Sequence, residues 1–392
     1  MADRPSDMTP ADSETRPWLL ALGGLIALAA AMGIGRFIYT PILPPMAEGL
    51  ALSQGEAGLI ASANFLGYLI GALAAASRQI KDSPRAWMLS ALALSAVTTG
   101  AMGLIDGMVL FLALRFIGGA ASAFVLVFSS ALVLERLTAR GRGDLSAVHF
   151  AGVGAGIALS AVITWLVVAI GSDWRAMWLG GGLASLLALA AAVYLVPPLQ
   201  RTSAQETPES GPSQAGRLWL LVTAYGLFGF GYVITATFII AIVRGSPEIQ
   251  SFEPFVWLAV GLAAVPSVAA WAVVGRHIGI TKAFALACLV EAVGVVASVL
   301  WIDLAGLLLA AIFLGGTFMA ITALGLMAAR SLSGDEPRRA LAIMTAAFGL
   351  GQIVGPLVAG YGFDLTGSFL LPSLMAAVAL CIAAALTFRL GN

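Results

Sequence analysis

Residues 197–217 read PPLQRTSAQETPESGPSQAGR, the only long polar run in a chain of 392 residues. Its Pro, Ser, Gln and Gly content is too poor in apolar side chains to fold, so it reads as a linker. It falls near the middle of the chain, with long apolar segments on both sides. The two sides also resemble each other. Gly33-x-Gly35 recurs as Gly229-x-Gly231, an offset of 196, and Phe116-Ile-Gly-Gly119 recurs as Phe313-Leu-Gly-Gly316, an offset of 197. Gly152-x-Gly154 recurs as Gly349-x-Gly351, again at 197. Among 45 glycines one such match is chance, but three in order at nearly one offset point to a duplicated unit. Two apolar repeats joined by a polar linker suit a transporter.

Composition supports a polytopic membrane protein. Hydrophobic residues make up 60% of the chain and charged residues 10%, against roughly 45–50% and about 25% in soluble domains. A net charge of zero implies no nucleic-acid partner. The first apolar run is longer than the roughly 7–15 residues of a signal-peptide core, so it reads as a retained span. Segments of about 20 apolar residues cross a bilayer, as helices. Twelve are expected, at about 17–39, 55–76, 87–105, 109–134, 146–170, 174–196, 217–243, 254–275, 280–301, 304–329, 340–362 and 369–388. Six precede the linker and six follow it. The expected organisation is therefore a tail over 1–16, a six-helix bundle over 17–196, a linker over 197–216 and a second six-helix bundle over 217–392. Of 20 Lys and Arg residues, sixteen fall in the termini and loops on one side. The positive-inside rule makes that side cytoplasmic, with both termini and the linker on it. The opposite loops are short and carry Asp106, Asp173, Asp303 and Asp364, which read as turn or cap residues.

Charges at membrane depth are costly and mark functional candidates. Arg36, late in span one, and Arg115, early in span four, are expected in the same layer of the outward half. There they either attract an anion or snorkel to headgroups. Glu291 lies mid-way along span nine and reads as a proton carrier or a protonated packing residue. His149 opens span five, as a proton-pathway group or an interfacial histidine. Asn64, Tyr68, Tyr225, Tyr232, Trp257 and Gln352 line a path or bond across helices. Glu135 is expected to pair with Arg136 at the interface. Cys288 and Cys381 read as packing residues. Two histidines and no HExxH or paired-cysteine motif support no metal site, cofactor or enzyme.

Twelve spans in a six-plus-six repeat resemble the major facilitator superfamily. Arg115-Phe-Ile-Gly-Gly119 resembles its fourth-helix motif, whose arginine is associated with proton-coupled transport. Gly351-Gln-Ile-Val-Gly355-Pro356, followed by Asp364-Leu-Thr-Gly, resembles its eleventh helix. More narrowly, Gly33-Ile-Gly-Arg-Phe-Ile-Tyr-Thr-Pro-Ile-Leu-Pro-Pro-Met46, Ala63-Asn-Phe-Leu-Gly-Tyr-Leu-Ile-Gly-Ala72 and Gly231-Tyr-Val-Ile-Thr-Ala-Thr-Phe238 resemble the YbfB/YjiJ-type subfamily. The chain departs from the superfamily in three places. Gly71 is followed by Ala75 where an acid is usual, although the basic cluster Arg78, Lys81 and Arg85 is kept. Gly275-Arg276-His-Ile-Gly279 lacks its Asp, and Ile157 replaces the proline of an antiporter motif.

The resemblance implies a monomeric secondary transporter in the inner membrane. It implies a small-molecule substrate and coupled protons, with helices 1, 4, 7 and 10 lining the cavity and helices 3, 6, 9 and 12 outermost. The outer position of helix nine argues against a proton role for Glu291. The other reading is a membrane sensor that keeps the fold and does not translocate.

Overall fold

The structure, a computed structural model, describes residues 16–77, 83–198, 215–334 and 336–391. Arg78, Lys81 and most of the linker lie outside the described residues. Among those described are thirteen α-helices and no strand.

The first span is longer than its sequence suggests. It joins α1 (Pro17–Leu28), a π-helical turn (Ala29–Ile34) and α2 (Tyr39–Leu50). The expected end at residue 39 is corrected to 50, because Pro41, Pro44 and Pro45 lie inside a helix rather than a loop. Pro41 sits in the first turn of α2, where a missing N–H costs least. The remaining spans are α3 (Gln54–Ala75), α4 (Pro84–Ala101), α5 (Met108–Ala139), α6 (Ser146–Ala169) and α7 (Trp174–Leu195) before the linker. After it come α8 (Ala215–Arg244), α9 (Glu253–Ile278), α10 (Ile280–Leu300), α11 (Leu304–Leu332), α12 (Pro337–Thr366) and α13 (Leu370–Phe388). Eleven of the twelve spans are long and apolar enough to cross a membrane. The twelfth, α4, is 18 residues long and diluted by Ser and Thr.

Two six-helix bundles result. In the first, α3 and α4 pack on α5, and α1 packs on α6. In the second, α8 packs on α12 and α13, and α10 on α11 and α13. The main contacts between bundles are α3 with α12 and α6 with α9. Exchanging each span for its counterpart six places along turns the first pair into the second. The contacts therefore carry the same pseudo-twofold symmetry as the glycine repeats.

Glycines set the close approaches. A methyl on Gly67 would stand 1.9 Å from the Phe116 carbonyl oxygen, and one on Gly33 would stand 2.4 Å from the Gly156 Cα. Small residues let helix backbones meet where lipid provides no hydrophobic drive.

Connections are short at the end of the bundles remote from the chain termini, called the distal end below. There Asp173 and Asp303 cap α7 and α11. Asp106 pairs with Arg175. At the opposite end Arg136 donates to the carbonyls of Pro197 and Pro198. The expected Glu135–Arg136 pair is not among the ion pairs of the described residues, and Arg136 turns to those carbonyls instead. Arg276 and His277 belong to α9, which runs on to Ile278, rather than to a loop.

Candidate functional site

The site begins at the break in span one. Pro41 has no N–H for the Phe37 carbonyl, and Thr40 bonds that carbonyl over a tighter turn at 3.2 Å. The π turn just before it bonds Gly35 N to Ala30 O, five residues back. Between these irregularities the Gly35 and Arg36 carbonyls are freed from the helix. The Arg115 guanidinium supplies what they lack. Its Nη1 donates to the Gly35 carbonyl and its Nη2 to the Arg36 carbonyl, both at 3.1 Å. Tyr39 and Trp178 rings flank it at 5.0 and 5.7 Å. Arg115 thus holds the broken segment in shape, and Asn64 Nδ2 in turn donates to the Arg115 carbonyl at 2.9 Å.

Arg36 itself points elsewhere. It is 4% exposed, so it does not snorkel to headgroups. Fourteen residues separate it from the distal end of its span at Leu50, which places it nearer the middle of the bundle than a span ending at 39 implies. Its guanidinium lies against the rings of Tyr68 at 4.1 Å, Phe65 at 4.7 Å and Phe37 at 5.5 Å. Its Nε and Nη2 are buried without a hydrogen-bond partner.

The second bundle faces this group with an aromatic layer. Phe37 meets Phe318 edge-on at 5.7 Å across the interface. Phe318 stacks on Tyr232 at 5.8 Å, and Tyr232 stacks on Phe348 at 5.8 Å with an interplanar angle of 1°. Tyr225 and Phe228 extend the stack. The Gln352 Nε2 donates to the Tyr232 hydroxyl, and its Oε1 is left buried and unpaired. Phe37, against the Arg36 guanidinium, joins the cation to this layer through Phe318.

Six hydrogen bonds link the bundles among the described residues, and they run from this layer to the distal end. Ser62 donates to the Ile353 carbonyl at 2.7 Å, Trp257 Nε1 to Ser160 Oγ at 2.9 Å, and Thr40 to the Ala236 carbonyl at 2.7 Å. Asp364 accepts from Gln54 N at 3.0 Å and Gly55 N at 2.9 Å. Arg244 grips Glu253 with two 2.7 Å bonds and reaches across to Glu48 at 3.2 Å. Asp364 was expected to serve its own tight connection. It instead sits inside α12 and completes the N-terminus of α3, where Ser53 already takes the Glu56 N–H.

A family model described as an uncharacterised MFS-type transporter YbfB matches residues 28–388. The chain belongs to this family. The YbfB-type assignment makes it a membrane transporter of the major facilitator superfamily. Solved structures agree on the fold. A crystal structure of the nucleoside transporter NupG is 14% identical, with a TM-score of 0.74, covering 95% of this chain and 99% of its own. A bacterial homolog of the human lysosomal transporter Spinster, in an inward-facing and unoccupied conformation, is 13% identical with a TM-score of 0.69, covering 98% of each chain. No curated relative matches.

In this YbfB-type chain the sequence candidates divide into groups. Arg36, Tyr68, Tyr232 and Gln352 meet at the layer between bundles, with Tyr225 at its edge. Arg115 and Asn64 support it from within the first bundle. His149 does not reach it. That residue is fully buried against Gly24, with Nε2 3.3 Å from Ser130 Oγ, rather than lying at an interface. Gly71, Gly119, Gly351, Gly355 and Pro356 are crossing points. Gly71 faces Ala120, Gly119 faces the Asn64 carbonyl, Gly351 faces Gly226, Gly355 faces Val233, and the Pro356 carbonyl faces Gly58. Gly275 has only ordinary contacts, and Arg276 is exposed.

Glu291 is fully buried within α10. Neither carboxyl oxygen has a hydrogen-bond partner. Phe318, Phe348 and the Arg244–Glu48 pair were not singled out from sequence. Single phenylalanines in apolar spans carry no signal. A pair separated by 196 residues is invisible without the bundle geometry.

Proposed function

We propose that this chain is a secondary active transporter that moves a small organic solute by alternating access and is driven by protons. The unit is a monomer in the inner membrane, with both termini and the 197–216 linker in the cytoplasm. The moving parts are the bundles over 17–196 and 217–392. The observation that carries this reading is the buried layer where Arg36, Phe37 and Tyr68 of one bundle meet Tyr232, Phe318 and Gln352 of the other. Every inter-bundle hydrogen bond among the described residues lies at this layer or distal to it. That arrangement suits a protein closed on its distal face, whose layer opens toward the terminal end. Rocking about the α3–α12 and α6–α9 contacts would expose the same groups to the other side.

The test is equilibrium counterflow in proteoliposomes against a solute panel, with and without an imposed pH gradient. Flux that rises with the gradient and collapses with a protonophore supports the reading. Binding without flux supports a sensor, the reading that the missing acids after Gly71 and Gly275 favour.

A further inference from the structure

The transported class follows from the cation in the layer that keeps a free hydrogen-bonding edge. Arg36 and Arg115 lie within one buried region. Among the described residues no Asp or Glu oxygen lies within 4.0 Å of either guanidinium. The acids nearest in sequence are engaged elsewhere. Glu48 takes Arg244 at the distal surface, and Glu56 closes the capping box of α3. The two arginines also differ in what they have left to give. Arg115 spends both terminal nitrogens on backbone carbonyls. Arg36 keeps Nε and Nη2 free, and these two N–H groups form one straight edge of the guanidinium. That edge matches the two oxygens of a carboxylate, which it binds side-on through parallel charge-assisted bonds. Leaving it buried and unpaired is costly.

The surroundings of the edge are flat and apolar. Phe37, Phe65 and Tyr68 surround the guanidinium, Phe318 and Tyr232 continue the ring layer from Phe37, and beside Tyr232 the Gln352 Oε1 is a buried acceptor with no donor.

We propose that the solute is a small organic monoanion. It carries one carboxylate that docks on Arg36, a flat apolar body that packs between the ring layers, and a hydrogen-bond donor that reaches Gln352. Arg36 offers a free two-nitrogen edge for one carboxylate, whereas Arg115 keeps only its Nε unbonded, which argues for a single carboxylate. This assignment rests on the transporter reading above.

The test uses purified full-length protein and matched acid and amide pairs: benzoate and benzamide, 4-hydroxybenzoate and 4-hydroxybenzamide, anthranilate and anthranilamide. Binding is read from the rise in melting temperature with concentration. At least one acid is expected to stabilise the protein while its amide does not. R36Q is expected to bind that acid about 10- to 100-fold more weakly, the range of a lost hydrogen-bonded charge. R36K, which keeps the charge without the edge, should fall between. Equal stabilisation by acid and amide, no stabilisation by any acid, or unchanged acid binding in R36Q would each overturn the assignment. The wild-type comparison stands even if R36Q does not fold.

Counterflow separates the two claims. If an acid binds through Arg36 but is not carried, the ligand class holds and the transporter reading falls. If an amide is carried and its flux survives R36Q, the transporter reading holds and this inference falls.

Discussion

Asp364→Ala should loosen the distal closure by a calculable amount. The first three N–H groups of α3 have no helical partner. Ser53 Oγ takes that of Glu56, and the Asp364 carboxylate takes those of Gln54 and Gly55 from the other bundle. When the bundles part at this end, the two Asp364 bonds are the α3 caps exchanged for water. A capping side chain contributes roughly 0.5–2 kcal/mol, and the site is exposed, so about 1 kcal/mol is a fair value for the pair. That corresponds to about a fivefold change in the ratio of distal-open to distal-closed molecules. The α3 helix itself should persist, because its own capping box is intact. Spin labels at Leu104→Cys and Ile302→Cys, 71% and 51% exposed at the distal ends of opposite bundles, report the change in a Cys381→Ala background. Cys288 is buried. The long-distance fraction relative to the short one should rise about fivefold, and Asp364→Asn should give a smaller rise. An unchanged ratio with a lowered melting temperature would refute the reasoning. It would mean that Asp364 stabilises the fold equally in both states.

Three further outcomes follow from other contacts. Arg115→Ala leaves the Gly35 and Arg36 carbonyls buried and unpaired, so it should abolish transport and also lower stability in detergent by roughly 2–4 kcal/mol. Normal flux in a folded variant would remove Arg115 from the mechanism. Gly33→Ala forces a methyl to 2.4 Å from the Gly156 backbone, and the helices must separate, at a cost of roughly 1–3 kcal/mol read from the melting temperature. Asp303 accepts from Gly306 N at 2.9 Å and Trp301 Nε1 at 2.8 Å, bonds that hold its carboxyl below the usual range. A depressed folded pKa means its stabilisation is present above the unfolded value of about 3.9 and is lost as pH falls through the lower folded value. The melting difference between wild type and Asp303→Asn should therefore be constant above about pH 5 and shrink below it.

Span number and the two-bundle plan were legible because bilayer thickness constrains apolar length, and because duplication leaves a constant glycine offset. The length of the first span was not. Three prolines after Thr40 read as the end of a helix, yet Pro41 occupies a first turn, and the Gly35 and Arg36 carbonyls freed at the break before it are bonded by Arg115 from another helix. That partner is nearly 80 residues away, so nothing local announces it. The same reasoning explains Asp364. An acid near a tight connection reads as a local cap, and only the packing of α12 on α3 brings it to a helix N-terminus about 310 residues earlier. Arg36 and Arg115 were legible as costly charges in one layer. Their division of labour was not, because it depends on which one faces the freed carbonyls. The outer position expected for helix nine argues against a proton role for Glu291, and the residue is fully buried, as a packing residue is.

The strengths of these contacts are matched to a protein that must switch. A ligand shifts a two-state equilibrium only by the difference in its affinity for the two states. If the distal closure were built from buried ion pairs, the binding energy of a small solute could not reverse it. Its ionic contacts lie instead at an exposed rim, and its buried bonds, such as Thr40 to the Ala236 carbonyl, are between neutral groups. Glu48 is 66% exposed at its side chain, where an ion pair contributes about 0–1 kcal/mol. Asp364 is also exposed. These rim contacts are therefore worth a few kcal/mol at most, about what one charge-assisted carboxylate contact on Arg36 could supply. The stronger, buried bonds of Arg115 lie within one bundle and need not break in either state. Weak bonds between bundles and strong bonds within them let a single solute decide which face is open.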